Sequence, residues 1–95
     1  EIFSNELKKL KEEFPQIINL VSSKGLIGAI IFKNDKRNIG TILANKVTIS
    51  CYNKGLLLVN TGRESIKLGP PLTISRKSLL KAFKLMHKSF SELQM

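Results

Sequence analysis

The chain has 95 residues, 42% of them hydrophobic and 24% charged, and its formal net charge is +9. This length supports one domain with one core, and ordinary globular composition excludes a disordered chain. No apolar run approaches the roughly 18 residues that cross a bilayer, and no signal-peptide pattern is present.

The first predicted element is a helix over residues 4–14. Ser4 is a good N-cap, because its hydroxyl can accept a hydrogen bond from an otherwise unpaired backbone N–H. Pro15 ends the helix, since the residue before a proline is pushed out of the α region. One apolar stripe follows helical spacing and consists of Phe3, Leu7, Leu10 and Phe14.

Residues 17–32 are predicted to be mainly extended. The apolar, β-rich run over residues 26–32 suits a central strand that is covered on at least one face. Gly28 inside this run indicates a close approach of the backbone or a bulge. A polar turn follows over residues 33–38.

Residues 39–53 fit two patterns. Apolar residues recur at helical spacing over this range, but residues 47–51 also alternate as in a strand. Lys54-Gly55 favours a helix over residues 39–53, because a basic last turn followed by glycine is a helix C-terminus signal.

The last part of the chain is predicted to form a hairpin and a helix. Strands over residues 56–60 and 65–69 flank a turn. Pro70-Pro71 ends the second strand, and Ser75 caps the final helix. The buried stripe of this helix consists of Leu79, Phe83, Met86, Phe90 and Leu93. The order of elements predicts an α+β fold, a small, partly antiparallel three-stranded sheet with helices packed on one face.

Few residues offer catalytic chemistry. His87 is the single histidine, and its place beside the apolar stripe indicates a half-buried or surface side chain. A metal site needs three or four converging ligands, which Cys51 and His87 do not supply. Glu6, Glu12 and Glu13 are interpreted as a solvated helix face. The sequence therefore predicts no catalytic, cofactor-binding or metal-binding residue.

The positive charge has three interpretations. The chain binds nucleic acid, lies beside an acidic surface such as the rest of its own polypeptide, or carries a lysine-rich solvated surface. The basic residues are scattered through every segment, which disfavours nucleic acid. Tyr52 is the one aromatic residue off the apolar stripes and is weak evidence for base stacking. Thr61-Gly62-Arg63-Glu64 is interpreted as a hairpin turn, because it lacks the spacing of a phosphate-binding loop.

Two further features concern the setting of the chain. Cys51 is the single cysteine, so it cannot form an internal disulfide, which favours a reducing, cytoplasmic location. The sequence starts at Glu1 rather than Met, so we expect residues 1–95 to be a single domain of a longer polypeptide.

A family resemblance rests on the run Gly55-Leu56-Leu57 and on Ile66-Lys67-Leu68-Gly69-Pro70-Pro71-Leu72-Thr73-Ile74. These runs resemble the last stretch of class III aminotransferases of the ornithine and 4-aminobutyrate type. In that family a helix and a G-L-L strand lead to an I-R-hydrophobic-x-P-P-L-x-I strand and a closing helix. Upstream, residues 21–26 with Gly28 resemble the V-R-G-x-G-L strand entry of the same enzymes. The resemblance covers roughly residues 5–92.

The resemblance implies the C-terminal small domain of a fold type I enzyme. In the family this domain packs on a large domain, which binds pyridoxal phosphate through a Schiff-base lysine, and the enzyme is a homodimer. Its substrates are ω-amino acids such as 4-aminobutyrate or ornithine and 2-oxo acids. None of the lysines here matches the Schiff-base motif, so the chain alone is expected to be inactive and to close the active site of the parent enzyme.

The resemblance also implies one site residue, Lys67, which occupies the position of the family's substrate-carboxylate arginine. Arginine binds a carboxylate with two parallel hydrogen bonds, whereas lysine offers a compact point charge. The alternative is that Lys67 is an ordinary exposed strand residue. A second departure is Ser22-Ser23, where the family usually has Arg-Gly.

Two other functions remain open. One is a small basic nucleic-acid-binding α+β module, which would show salt-dependent binding. The other is a regulatory or interaction domain that binds a ligand or a second copy. An aminotransferase domain separated from its large domain is instead expected to expose an apolar face and to associate.

Overall fold

The computed structural model describes residues 2–70 and 73–93. Seven elements follow one another in these residues: α1 (Ile2–Glu13), β1 (Ile18–Lys24), β2 (Ile27–Phe32), α2 (Ile39–Asn53), β3 (Val59–Asn60), β4 (Ser65–Leu68) and α3 (Arg76–Ser91). The strands form one sheet in the order β1-β2-β4-β3, and all neighbouring strands are antiparallel. The α+β prediction is confirmed, with four strands in the described residues instead of three.

The additional strand arises because residues 18–32 fold back on themselves. Lys24 of β1 pairs with Ile27 of β2 across a two-residue turn. Gly25 in this turn has a φ of +61°, a left-handed conformation that glycine adopts without a steric penalty. The sequence pattern predicts a mainly extended stretch here, and the structure divides it into a hairpin.

The core lies between the helices and one face of the sheet. Alternate side chains of β2 and β4 point to the helices, because successive strand residues face opposite sides. Aromatic rings join the layers: Phe32 of β2 stacks on Phe90 of α3 at a centroid distance of 5.6 Å. Phe3 of α1 contacts Phe83 of α3 edge-on at 5.7 Å. The largest fully buried side chains also include Leu7, Leu10, Ile18, Ile30, Ile66 and Met86.

Gly28 lets α1 lie close to the sheet. A Cβ atom at this position would lie 2.8 Å from Cζ of Phe3 and 2.9 Å from Cδ1 of Leu7. The predicted close approach is therefore found, and it involves helix side chains. The register shift between β1 and β2 lies elsewhere, between Ile18 and Leu20.

The two predicted helix caps differ in outcome. Ser75 is the N-cap of α3, and its hydroxyl accepts a hydrogen bond from the backbone N–H of Ser78 at 3.0 Å. The prediction that Ser4 caps the first helix is wrong, because α1 already begins at Ile2. This earlier start places Phe3 inside the helix, where its ring packs against the core.

The strand predicted over residues 56–60 is shorter in the structure. The prediction of α2 is confirmed. The residues that cap its C-terminus, however, include the first residue of the strand expected over residues 56–60. Gly55 has a φ of +88°, and the backbone N–H of Leu56 donates to the carbonyl of Cys51 at 2.8 Å. Pairing with β4 therefore begins only at Val59.

Among the described residues, no helix combines the length and apolar character that a bilayer crossing requires.

Candidate functional site

The face of the sheet opposite the helices is uncovered, and we call it the open face. It carries the outward residues of all four strands, among them Leu20, Ser22 and Lys24 of β1, Ile27, Ala29 and Ile31 of β2, Ser65 and Lys67 of β4 and Val59 of β3. Ile27 is 69% exposed and Val59 is 59% exposed. A sheet face that is this apolar and uncovered is typical of a surface that packs on another body.

Lys67 lies in the middle of the open face. The register places it directly between Ala29 of β2 and Val59 of β3, and Ser22 of β1 lies next to Ala29 in the same row. Directly paired residues of antiparallel strands share a face, so the Lys67 side chain points away from the helices. The ammonium group is therefore available to a ligand on the open face.

A shallow basin of about 370 Å³ lies beside Lys67. The residues that line it include the small residues Gly28 and Ala29 of β2 and a second lysine, Lys24. The residues that line the basin include no aspartate or glutamate. Its composition therefore suits a small anion or a carboxylate group.

A polar network joins the C-terminal ends of α2 and α3. Nζ of Lys54 lies 2.7 Å from Oε1 of Glu92 and donates to Oγ of Ser50 at 2.7 Å. The Ser50 hydroxyl donates in turn to Oγ of Ser89 at 3.1 Å. Because Lys54 is hydrogen-bonded to the Glu92 carboxyl, it holds the pKa of that group below its usual range. The network thus ties the two helices together, and none of its residues lines the basin.

Cys51 of α2 is hydrogen-bonded to Ser89 of this network and is fully buried. Burial raises the pKa of the Cys51 thiol, because the thiolate would lose its hydration, and the hydrogen bond with Ser89 offsets only part of this effect. A buried thiol held in its neutral form is a packing group rather than a nucleophile.

His87 is half-buried, as predicted, and its Nδ1 contacts the carboxylate of Glu13. Glu12 and Glu13 are exposed, and Glu6 pairs with Lys9 at 3.2 Å. Within residues 2–70 and 73–93, no group of three His, Cys, Asp or Glu side chains could share a metal ion.

The loop between β3 and β4 is the predicted hairpin turn. Thr61 donates its hydroxyl proton to the carbonyl of Ser65 at 3.0 Å, and Oδ1 of Asn60 accepts from the backbone N–H of Gly62 at 2.8 Å. The side chains of Asn60 and Thr61 are thus used to hold the turn.

Part of the resemblance motif lies outside the described residues, namely Pro71 and Leu72. The residues before it, Gly69 and Pro70, border an apolar cavity of about 180 Å³ between β4 and α3. Leu79 and Phe83 of α3 line the opposite wall. This cavity carries no charged side chain, so it is a less suitable carboxylate site than the basin.

The helix α3 carries five basic residues and no acidic residue. Its two phenylalanines are buried, however, and Tyr52 lies on α2. In residues 2–70 and 73–93, α3 itself thus exposes no phenylalanine or tyrosine beside its cations for base stacking.

The sequence predicts Lys67 as a site residue but does not single out Lys24, which also lines the basin. Strand alternation alone could not find this pair, because β1 and β4 are separated in the sheet by β2. A hairpin turn predicted at Gly25 would have revealed the pair. Once β1 and β2 are paired, Lys24 lies on the same face of the sheet as Ile27 and Lys67.

Comparison with known proteins agrees with the resemblance found in the sequence. The family model described as aminotransferase class-III matches residues 1–90. The chain is similar to the ornithine aminotransferase, mitochondrial, of Oryza sativa, with 34% identity over 86% of this chain and 17% of the relative. It is also similar to the acetylornithine aminotransferase of Prochlorococcus marinus, with 32% identity over 90% of this chain and 19% of the relative.

A solved structure gives the same result for the fold. The acetylornithine aminotransferase from Elizabethkingia anophelis matches 97% of this chain with a TM-score of 0.83 and 34% identity, and the match covers 22% of that protein. The chain thus spans about a fifth of the length of these relatives. The comparisons give no support to a nucleic-acid-binding module. The chain belongs to the class-III aminotransferase family.

Proposed function

We propose that the chain is the C-terminal small domain of a pyridoxal-phosphate-dependent transaminase. The parent enzyme moves an amino group from an ω-amino acid, such as 4-aminobutyrate or ornithine, to a 2-oxo acid. Family membership supports the reaction class, and the names of the relatives from Oryza sativa and Prochlorococcus marinus support ornithine-type donors. In this proposal the domain closes the active site over the substrate.

The observation that carries the proposal is the position of Lys67 at the centre of the open face. A domain that closes on a substrate must present its binding group on the surface that meets the rest of the enzyme. Lys67 occupies the position of the family's carboxylate-binding arginine and points to that surface. It binds the substrate carboxylate as a point charge, with less directional control than a guanidinium group.

The residues of this chain do not by themselves fit pyridoxal phosphate. The cofactor is held through a lysine in an enclosed site, where burial lowers the lysine pKa. Here every lysine in the described residues is exposed except Lys11 and Lys54, and Lys54 is bound to Glu92. We therefore propose that the large domain of the parent binds the cofactor and that this chain acts on the substrate alone.

We propose that the parent enzyme is a cytoplasmic homodimer. A homodimer with the active site at the subunit interface follows from the family. A cytoplasmic location is supported by the single buried cysteine, although the relative from Oryza sativa is mitochondrial by name.

The absorbance spectrum of the full-length parent tests the reaction class. With bound pyridoxal phosphate the enzyme should be yellow, and the band should bleach when 4-aminobutyrate or ornithine is added. Absence of the band after incubation with the cofactor would contradict the proposal. Salt-dependent binding to DNA would then be the next measurement.

Lys67→Ala in the full-length parent tests the role of Lys67. Loss of one charged hydrogen bond should raise the KM for amino-acid and 2-oxo-acid substrates about tenfold. Steady-state kinetics measures this change, and Lys46→Ala, an exposed lysine of α2, is the matched control. Unchanged kinetics for both substrates would exclude Lys67 from the site.

A further inference from the structure

The basin on the open face has two cations rather than one. Lys24 at the end of β1 and Lys67 in β4 both line it, and Ile27 and Ala29 of β2 lie between them. The family resemblance accounts for the position of Lys67 only. Lys24 has no counterpart in the motif, whose corresponding position is variable.

The sheet register brings both ammonium groups within reach of one point. Lys24 pairs with Ile27, and Lys67 pairs with Ala29, two residues further along β2. Two strand spacings across the sheet and two residues along it separate the Cα atoms by roughly 12 Å. Each ammonium group ends a flexible four-carbon stem, so the two can meet above β2 between Ile27 and Ala29.

The basin supplies no charge that neutralises these lysines. None of the four ion pairs among the described residues includes Lys24 or Lys67. Bringing two ammonium groups together is unfavourable without a counter-ion, because like charges repel. A carboxylate between them removes this repulsion and gains a charge-assisted hydrogen bond from each.

We propose that Lys24 and Lys67 together bind one substrate carboxylate. This inference rests on the proposed function and extends it. A guanidinium fork holds two carboxylate oxygens with one side chain, and here two point charges, one from each side of the basin, hold the same two oxygens. The small side chain of Ala29 leaves space for the carboxylate beside Lys67, and the Ile27 side chain borders this space beside Lys24.

Lys24→Met in the full-length enzyme tests the proposal, because methionine keeps an unbranched stem and removes the charge. The KM for the carboxylate-bearing substrate should rise about tenfold with little change in kcat, as expected for loss of uniform binding. Lys24→Arg should restore most of the affinity. Lys46→Met on α2 is the matched control and should leave both constants unchanged.

A binding measurement separates this proposal from the proposed function. The dissociation constant of pentanoate, an unreactive monocarboxylate, should rise in Lys24→Met and in Lys67→Met when it is measured by NMR titration of the full-length protein. If the protein shows no cofactor band and no transamination, the proposed function fails, and the pentanoate titration still decides whether the two lysines form a site.

The double variant decides whether one carboxylate is shared. Two groups that bind the same carboxylate should be coupled, so Lys24→Met/Lys67→Met should lose less affinity than the two single losses combined. Fully additive losses would overturn the shared site. A second result would also overturn it. In an active enzyme, this is the case if Lys67→Met weakens pentanoate binding while Lys24→Met and Lys24→Gln leave it unchanged.

Discussion

At the scale of single residues, Gly28 determines how closely α1 approaches the sheet. A methyl group at this position would overlap two buried side chains, Phe3 and Leu7. Gly28→Ala should therefore lower the free energy of unfolding by about 1–3 kcal/mol, since overpacking forces the surrounding core to shift. Urea unfolding followed by circular dichroism measures the change.

Gly69 provides the matched control for this substitution. A Cβ atom at Gly69 meets no heavy atom within 4 Å, and the backbone there is not left-handed. Gly69→Ala should be neutral or slightly stabilising, because alanine restricts the unfolded chain. Equal effects of the two substitutions would show that the close contact at Gly28 does not limit stability.

The thiol of Cys51 should make stability depend on alkaline pH. Its pKa is raised by burial, so the unfolded state releases this proton at a lower pH than the folded state. The neutral thiol makes its full contribution to the free energy of unfolding below about pH 9. This contribution decreases as the pH rises toward the folded-state pKa. Urea midpoints at pH 8 and pH 10 should fall more in the native protein than in Cys51→Ala. Parallel decreases would contradict this linkage.

The sequence predicts the strand that carries Lys67 but not the surroundings of this residue. The motif resembles one in which an arginine stands at this position, and strand alternation allows Lys67 to face away from the core. The basin depends on three strands that are distant in the sequence, and no local pattern encodes how Lys24, Ala29 and Lys67 come together.

At the scale of elements, the two serines predicted as helix caps provide an internal comparison. Ser75 accepts a hydrogen bond from the backbone N–H of Ser78, whereas Ser4 lies inside α1. Ser75→Ala should cost about 1 kcal/mol, because it leaves this N–H without its capping partner. Ser4→Ala should cost nothing or stabilise slightly, because alanine has the higher helix propensity. Thermal unfolding of both variants checks the contrast, and an equal loss in both would refute it.

The helices were more predictable than the strands. Apolar periodicity, Pro15 and Gly55 define α1, α2 and α3 to within a few residues. The end of α2 shows why the third strand was overestimated. The backbone N–H of Leu56 caps the C-terminus of α2, so this residue is not available for strand pairing. An apolar run alone does not show whether such a residue caps a helix or joins a strand.

At the scale of the whole molecule, the open face should make the isolated chain associate. Ile27 and Val59 expose apolar surface on this face, which the proposed large domain would cover. Sedimentation velocity of the chain alone should show oligomers that dissociate on Ile27→Lys. Ile49→Lys, at a comparably exposed position on α2, is the control. If only the α2 substitution disperses the oligomers, the contact surface is α2 rather than the open face.

The sheet order also has a consequence for the time course of folding. The β1–β2 and β3–β4 hairpins each close over a few residues, but the seam between β2 and β4 joins Ile31 to Ser65 and Gly28 to Leu68, which are 34 and 40 positions apart. Closing a long loop costs more entropy than closing a short one, and non-local pairing slows folding. We therefore expect the two hairpins to form early as local units and the seam between β2 and β4, on which Lys67 lies, to form late.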